Sequence, residues 1–181
     1  MIFEQKQIQL KDGRFAILKT PKAEDAEKLL RYIKQSCSET NFLARYPEEW
    51  TITVEQEISW INRLRNSPDA LAISCYIDGD VVGNCEINFK NELKASHRAT
   101  VAIAVLQSCW GQEIGSAMFT EMIGVAESRG TEIVELGVIE GNERAMSLYE
   151  KFGFKAVAVW PKAFKLKDGT YQNEIIMQKY L

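Results

Sequence analysis

The 181-residue chain lacks the marks of several functional classes. No apolar run approaches the ~20 residues that a membrane-spanning helix needs. The opening MIFEQK is followed by no apolar stretch, so no secretory signal is expected. Basic residues are not in excess: 22 Lys and Arg stand against 25 Asp and Glu, for a net charge of −3. They form no basic stripe, which argues against binding along a nucleic-acid backbone. Cysteine is sparse and unpatterned. Cys37, Cys75, Cys85 and Cys109 make no C-x-x-C pair and no ligand spacing with the single histidine, His97. A structural zinc site is therefore disfavoured, and reduced cysteines in a cytoplasmic protein are the simplest expectation. There is no G-x-x-x-x-G-K-[ST] and no acidic residue suited to magnesium near the glycine-bearing loop, which disfavours a P-loop nucleotide site.

What is present is ordinary globular material, 46% hydrophobic and 26% charged. No repeat, linker or low-complexity tract divides it, so one domain over 1–181 is expected. Gln5 to Leu10 and Arg14 to Lys19 read as a hairpin around Lys11-Asp12-Gly13. Thr20 and Pro21 read as an N-cap and first helical position, opening a helix to about Ser36 with Ala26, Leu29, Leu30 and Ile33 on one face. Residues 37–52 are irregular and mix Phe42, Leu43, Tyr46 and Trp50 with Arg45, Glu48 and Glu49. They either line a cleft or pin a loop to the core. TVEQ at 53–56 is a capping box opening a second helix to about Arg65, with Ile58, Ile61 and Leu64 inward. Leu71 to Ile77 and Val81 to Phe89 form a hairpin, and His97 to Val105 a further strand. On that strand Ala102 and Ala104 share one face, which suggests that something packs closely there. A helix follows from Ile114 to Arg129, then a strand from Ile133 to Ile139. A short helix is capped by Asn142 and closed by Gly153, and strands 154–160 and 171–181 finish the chain. The resulting order, ββααβββαβαββ, predicts an α/β fold with a mixed central sheet and helices on both faces, in which the 114–129 helix crosses over between parallel strands.

Two stretches carry chemistry. VLQSCWGQEIGS, from Val105 to Ser116, leads a strand through a glycine-bearing loop into a helix, and so offers free backbone N–H groups and a positive dipole end to an anion. GNERAMSLYEKFGF, from Gly141 to Phe154, places Asn142, Ala145, Leu148, Tyr149, Gly153 and Phe154 at set intervals. Together these stretches resemble the GNAT (Gcn5-related N-acetyltransferase) superfamily. The first is similar to its acetyl-CoA loop, [Q/R]-x-x-G-x-[G/A], and the second to its N-x-x-A-x-x-L-Y-x-x-x-G-F pattern at every marked position. The resemblance extends to the order of elements, although residues 1–70 match only in arrangement.

The resemblance implies a single-domain GNAT-like fold and direct transfer of acetyl from acetyl-CoA, without a metal, to a primary amine of a small molecule or peptide. It implies cofactor contacts at Ile103, Val105, Leu106, Trp110, Gly111, Gln112, Glu113, Ile114, Gly115, Ser116 and Asn142. The edge from Ile103 to Val105 would pair with the pantetheine arm and polarise the thioester carbonyl. Tyr149 would meet the departing thiolate. Two readings stand for each of two residues: Tyr149 is catalytic or a core tyrosine, and Asn142 contacts cofactor, caps a helix, or does both. Two departures from the pattern matter. Trp110 and Glu113 replace the loop's Gln/Arg and first Gly, and Glu113 sets a carboxylate beside the expected pyrophosphate. It is expected to point to solvent and to weaken cofactor binding somewhat. The strand before the loop carries no glutamate to serve as general base. His97 lies at its far start, which leaves Glu86, acting directly or through water, or else merely a hydrogen-bonded strand residue. The other functional class compatible with these residues is a non-catalytic acetyl-CoA-binding sensor or interaction module. Neither nucleic acid nor membrane is an expected partner, and a homodimer is a possible assembly. The irregular segment from Glu39 to Thr53 and the hairpin from Ala163 to Gln172 are where the acceptor cleft is expected.

Overall fold

A computed structural model describes residues 1–181. Eight strands form one sheet: β1 (Lys6–Gln9), β2 (Phe15–Lys19), β3 (Ala70–Ile77), β4 (Asp80–Phe89), β5 (Arg98–Val105), β6 (Ile133–Ile139), β7 (Lys155–Lys165) and β8 (Tyr171–Tyr180). Their spatial order is β1-β2-β3-β4-β5-β6-β8-β7. Every neighbouring pair is antiparallel except β5 and β6, which are joined through helix α3 (Ile114–Ser128). A parallel pair needs such a crossover, because a tight turn cannot reverse the chain twice. Helices α1 (Ala26–Ser38) and α2 (Val54–Asn66) cover one face of the sheet, and α3 and α4 (Glu143–Lys151) the other. The faces are separated by strand alternation. A Cβ on Gly83 would meet the α3 residue Met118, whereas Glu86 faces Glu57 of α2. This is the predicted order and architecture.

The β5–β6 pairing is short. Only Arg98↔Ile133, Ala99↔Val134 and Thr100↔Glu135 are in register. Beyond Thr100, β5 stays with β4 out to Gly83↔Val105, and β6 stays with β8 out to Ile139↔Glu174. The sheet therefore opens along its middle. An ion pair between Arg98 and Glu135 closes the base of the split.

Several local expectations are revised. The first helix does not begin on Thr20 and Pro21: a 3-10 turn (Ala23–Asp25) intervenes, and α1 starts at Ala26 and runs to Ser38. The Thr20 hydroxyl is used elsewhere, donating to the Ala72 carbonyl at 3.0 Å and accepting the Phe3 N–H at 2.8 Å. Strand β7 continues past Trp160 to Lys165 through an irregularity between Trp160 and Phe164. The capping box at Thr53 and Gln56 forms as read, with the Gln56 N–H donating to Thr53 Oγ1 at 3.3 Å and the Thr53 N–H to Gln56 Oε1 at 2.9 Å. The inward stripe of α2, however, is Glu57, Ile61 and Leu64, and Ile58 is only partly buried.

Glu57 is thus a carboxyl group on the core face of a helix. It is 2% exposed, and its Oε1 has no hydrogen-bond partner. Burial, and then the nearby Glu86 carboxylate, push it up to about 7. The folded state therefore holds a proton that the unfolded chain releases near 4.5. The stability that this proton confers is complete below that lower value and is lost as pH rises through about 7. At 1.36 kcal/mol per pH unit the full effect is of order 3 kcal/mol. Glu57→Gln is expected to raise the melting temperature at pH 8 and to leave it nearly unchanged at pH 4.5. Equal shifts at both pH values in thermal unfolding would contradict this account.

Candidate active site

The split in the sheet opens into a cavity of about 810 Å³. One end lies on the α3–α4 face, the other on the face covered by α1 and α2. Its floor at the split is made of small residues. Extending the β5–β6 register past Thr100 and Glu135 sets Ala102 across from Gly137, and both are exposed although they belong to the two central strands.

The end toward α3 is built by the 105–116 loop. Six consecutive amides, from Gly111 to Ser116, donate to no protein acceptor, and the next, that of Ala117, is the first to bond, to the Glu113 carbonyl at 2.9 Å. Gly111 takes φ +78, open to glycine at no steric penalty. A Cβ on Gly115 would come within 3.1 Å of Leu148, so glycine lets α3 and α4 approach. Free amides at a helix N-terminus fit an anion. Three basic side chains surround them. Lys11 and Lys151 reach Glu113 at 2.8 Å and 3.3 Å, Lys151 also donates to Ser116 Oγ at 3.2 Å, and Arg144 lies over the Trp110 ring at 4.7 Å. The turn of the first hairpin fastens the loop from outside, with the Asp12 N–H donating to Gln112 Oε1 at 3.0 Å.

Glu113 is 44% exposed, in line with the expectation that it points outward, but it is not free. The lysine partners and the Ser116 hydroxyl hold its carboxyl down to about 2. Its charge is thus locally offset, and the lysines are stationed beside the amides. Its backbone sits at φ +64, a left-handed position where glycine would be unstrained.

Tyr149 lines the cavity from α4. Its ring lies in an aromatic cluster, 5.4 Å from Phe119 and 6.2 Å from Phe154, with Phe119 and Phe152 at 5.3 Å. The hydroxyl has no protein partner, and burial pushes it up to about 12, so it is a donor throughout the neutral range. Asn142 caps α4, its Oδ1 accepting the Ala145 N–H at 3.3 Å, and it also lines the cavity.

The opposite end is walled by the α1–α2 connection. Phe42, Leu43 and Ala44 line it together with Thr40, Glu39 and, from β7, Phe164. Both readings of this irregular segment hold. Its other residues pin it: the Trp50 indole donates to Cys37 Sγ at 3.2 Å, the Tyr46 hydroxyl accepts the Lys167 N–H at 2.9 Å, and Lys167 pairs with Glu48. Gln107 of the 105–116 loop donates its N–H to Glu39 Oε2 at 2.8 Å and its amide to the Glu39 carbonyl at 2.6 Å, so the two walls are tied together.

Of the residues singled out from sequence, Ile103, Val105, Trp110, Gly111, Gln112, Glu113, Ile114, Gly115, Ser116, Asn142 and Tyr149 come together around this cavity. Three residues do not. Leu106 is buried, with its N–H on the Val82 carbonyl at 2.9 Å. Glu86 is not among the residues lining the cavity; it is near enough to Glu57 to raise that carboxyl, and its own is raised by burial. His97 is at the closed end of the split, where its carbonyl accepts the N–H groups of Glu132 and Ile133. The Val105 carbonyl is already engaged by the Trp110 indole at 2.8 Å, which leaves Ile103 as the freer part of that edge. Sequence reading missed Gly137 and Glu174, which share the cavity.

This geometry agrees with the comparisons. Residues 32–154 match the model of the acetyltransferase (GNAT) family, and the chain belongs to that family. It is an acetyl-CoA-dependent N-acetyltransferase by class. An L-amino acid N-acetyltransferase from Escherichia coli is 30% identical over 121 residues, 66% of this chain and 74% of that protein. Among solved structures, a GNAT-family acetyltransferase from Streptococcus pneumoniae superposes with a TM-score of 0.85 at 20% identity, covering 92% of this chain and 99% of that one. A protein from Salmonella typhimurium solved with its cofactor acetyl-CoA superposes with a TM-score of 0.77 at 15% identity, covering 91% and 92%.

The Glu113 clamp leads to a binding prediction. Glu113→Gln releases two ammonium groups beside the free amides, so the acetyl-CoA dissociation constant is expected to fall several-fold at low ionic strength. Lys151→Ala is expected to raise it by a similar factor, and added salt should shrink both effects. Calorimetric titration at two salt concentrations measures this, and equal affinity in all three proteins would remove the clamp from cofactor binding.

Proposed function

We propose that this chain moves the acetyl group of acetyl-CoA directly onto a primary amine of a small molecule or peptide. The observation that carries the reading is the unpartnered, protonated hydroxyl of Tyr149, lining a cavity that passes between two parted strands from free amides to an aromatic-walled opening. The residues present fit acetyl-CoA. The amides of Gly111 to Ser116, with Lys11, Lys151 and Arg144 near them, suit its pyrophosphate. The unpaired edge of β5 near Ile103 suits an amide-bearing arm, and Asn142 lines the same cavity. Bound there, the cofactor supplies an activated acetyl thioester.

Each protein group then has a simple task. A backbone N–H of the β5 edge would polarise the carbonyl that is attacked. Tyr149, on the cavity wall, would meet the departing sulfur. A thiolate with a pKa of ~8.5 is too weak a base to deprotonate a hydroxyl held at about 12, so Tyr149 stabilises it through a hydrogen bond. No metal enters this scheme, and the structure contains no group of three or more metal-ligating side chains. No helix is long and apolar enough to cross a membrane. The Escherichia coli relative's name makes free amino acids one acceptor class worth screening, alongside amines and peptides.

Release of CoA thiol from acetyl-CoA across a library of amines, amino acids and short peptides tests the reading. Thiol release that depends on acceptor is expected. Binding of acetyl-CoA with no acceptor-dependent release would favour a sensor. Tyr149→Phe keeps the ring cluster and removes only the hydroxyl. It is expected to lower kcat by about 10²-fold while leaving the acetyl-CoA dissociation constant within twofold, as measured by steady-state kinetics and calorimetry.

A further inference from the structure

The scheme above leaves one chemical requirement unmet. An amine arrives as an ammonium, pKa ~10.4 for a lysine-like group, and must lose a proton before its lone pair can attack. Neither Glu86 nor His97 reaches the cavity. Of the four carboxylates lining it, Glu39 accepts the Gln107 N–H, Glu113 is clamped by two lysines, and Glu143 lies in the first turn of α4 on the cofactor side. The fourth, Glu174, is half-buried on β8 and makes no hydrogen bond or ion pair through its side chain.

Its placement is specific. β8 sets Glu174 opposite Ile139, two residues beyond Gly137 on the same face of β6, and the side chain leans back across Gly137. A Cβ on Gly137 would overlap the carboxylate, lying 2.7 Å from its Cδ. The absent side chain of one strand is thus the space in which the carboxylate of the next one lies. Gly137 is across the split from Ala102, and both belong to the face covered by α1 and α2, the side opposite the phosphate-binding amides. Resting on the proposed transferase reading, the geometry assigns Glu174 as the group that receives the acceptor's ammonium and takes its proton, and assigns the acceptor as an apolar-bodied amine with no carboxylate beside the nitrogen.

The second part follows from what surrounds Glu174. This arm of the cavity is lined by Ser36, Glu39, Thr40, Phe42, Leu43 and Phe164, which offer apolar surface and carboxylate oxygen but no cation. The basic residues that line the cavity, Arg144 and Lys151, come from α4 on the far face. Arg45 and Lys165, outside the arm, are turned onto the rings of Trp50 and Tyr171. A free α-amino acid would bring its own carboxylate next to Glu174, with no cation among the residues lining the arm to offset the repulsion. An amide, an ester, a peptide N-terminus or a simple amine would not. Glu174 removes one proton from the ammonium, and the amine lone pair forms the N–C bond to the acetyl carbon as the C–S bond breaks. The second nitrogen proton is passed to the sulfur, whose charge the Tyr149 hydroxyl holds meanwhile. Glu174 then returns its proton to solvent. The products are one acetamide, one CoA thiol and one proton.

The test uses L-phenylalaninamide, phenethylamine and L-phenylalanine as probes with the full chain, saturated with acetyl-CoA. The amide and the amine are expected to exceed the amino acid at least tenfold in kcat/KM. Glu174→Gln should lower kcat/KM for the amide by about 10²-fold with the acetyl-CoA dissociation constant unchanged. Gly137→Ala, which displaces the carboxylate without removing it, should lower it by a smaller factor. Glu174→Ala combined with Gly137→Asp, which returns a carboxylate to the same space from the other strand, should regain at least tenfold over Glu174→Ala alone. Calorimetry of amide binding reads the assignment without turnover, and Glu174→Gln should weaken it tenfold or more. Unchanged amide affinity in Glu174→Gln, or a preference for the free amino acid, overturns the assignment. Normal amide affinity in the wild type without thiol release would instead overturn the transferase reading and leave Glu174 as a binding carboxylate.

Discussion

The parting of β5 from β6 is the constraint on which the rest of this molecule depends. Two strands that remained paired would use their backbone groups on each other and bury their side chains under helices on both faces, as parallel strands ordinarily do. Here each strand keeps its outer neighbour for its full length and its inner neighbour for only three residue pairs. Backbone polar groups in the middle of a sheet are thereby left facing a cavity, where they would be unfavourable unless solvent or a ligand meets them. The small methyl of Ala102 and the missing side chain of Gly137 keep the gap open, and the Arg98–Glu135 pair marks where it ends. A hole through a sheet is a natural place for a reaction between two molecules that approach from opposite faces, because neither has to pass the other.

The two ends of that hole differ in electrostatic character. The α3–α4 end has free amides, a helix N-terminus and three basic side chains, while the opposite end has aromatic and aliphatic walls with carboxylates. On the proposed reading, a phosphate-rich cofactor and a cationic acceptor would be drawn to different mouths. Both walls are held by contacts between segments distant in sequence. The first hairpin turn grips the 105–116 loop through Lys11 and Asp12, Gln107 ties that loop to Glu39, and the last hairpin holds the α1–α2 connection through Lys167. The irregular segment is consequently a built wall, whose aromatics divide between lining the cavity and anchoring the chain.

The order of elements was legible because it rests on local signals: alternation in the strands, turn chemistry at Lys11-Asp12-Gly13, and the Thr53 capping box. The glycine loop and the asparagine-to-tyrosine helix were legible for the same reason, being short contiguous motifs. Failures came where a side chain answered to a distant partner. Thr20 reads as a helix cap, but Ala72 and Phe3 claim its hydroxyl. Glu57 reads as a surface residue of an amphipathic helix, yet α2 is rotated to turn it inward against Glu86. Glu113 reads as a discordant charge because the lysines that offset it come from a hairpin turn at residue 11 and a helix end at residue 151.

Glu174 and Gly137 show the limit most clearly. Nothing near either residue in the chain signals a shared site, since their proximity is set by the β6–β8 register and by the side-chain space that glycine leaves. A search for a proton acceptor along β5 and its neighbour β4 assumes that the carboxylate must come from the strand that meets the cofactor. The sheet places the reacting gap between two strands, so a carboxylate can reach it equally well from the other side. Delivering it from β8, one strand further out, separates two tasks that a single strand would have to combine. In the proposed scheme β5 is left to present backbone to the thioester, and the β6–β8 pair, held by seven residue pairs in unbroken register, would carry the charge that the amine meets. The unbroken register of that pair would then matter as much as the carboxylate itself, because a group that exchanges a proton must stay within hydrogen-bond reach of the nitrogen while the other half of the gap accommodates a cofactor arm.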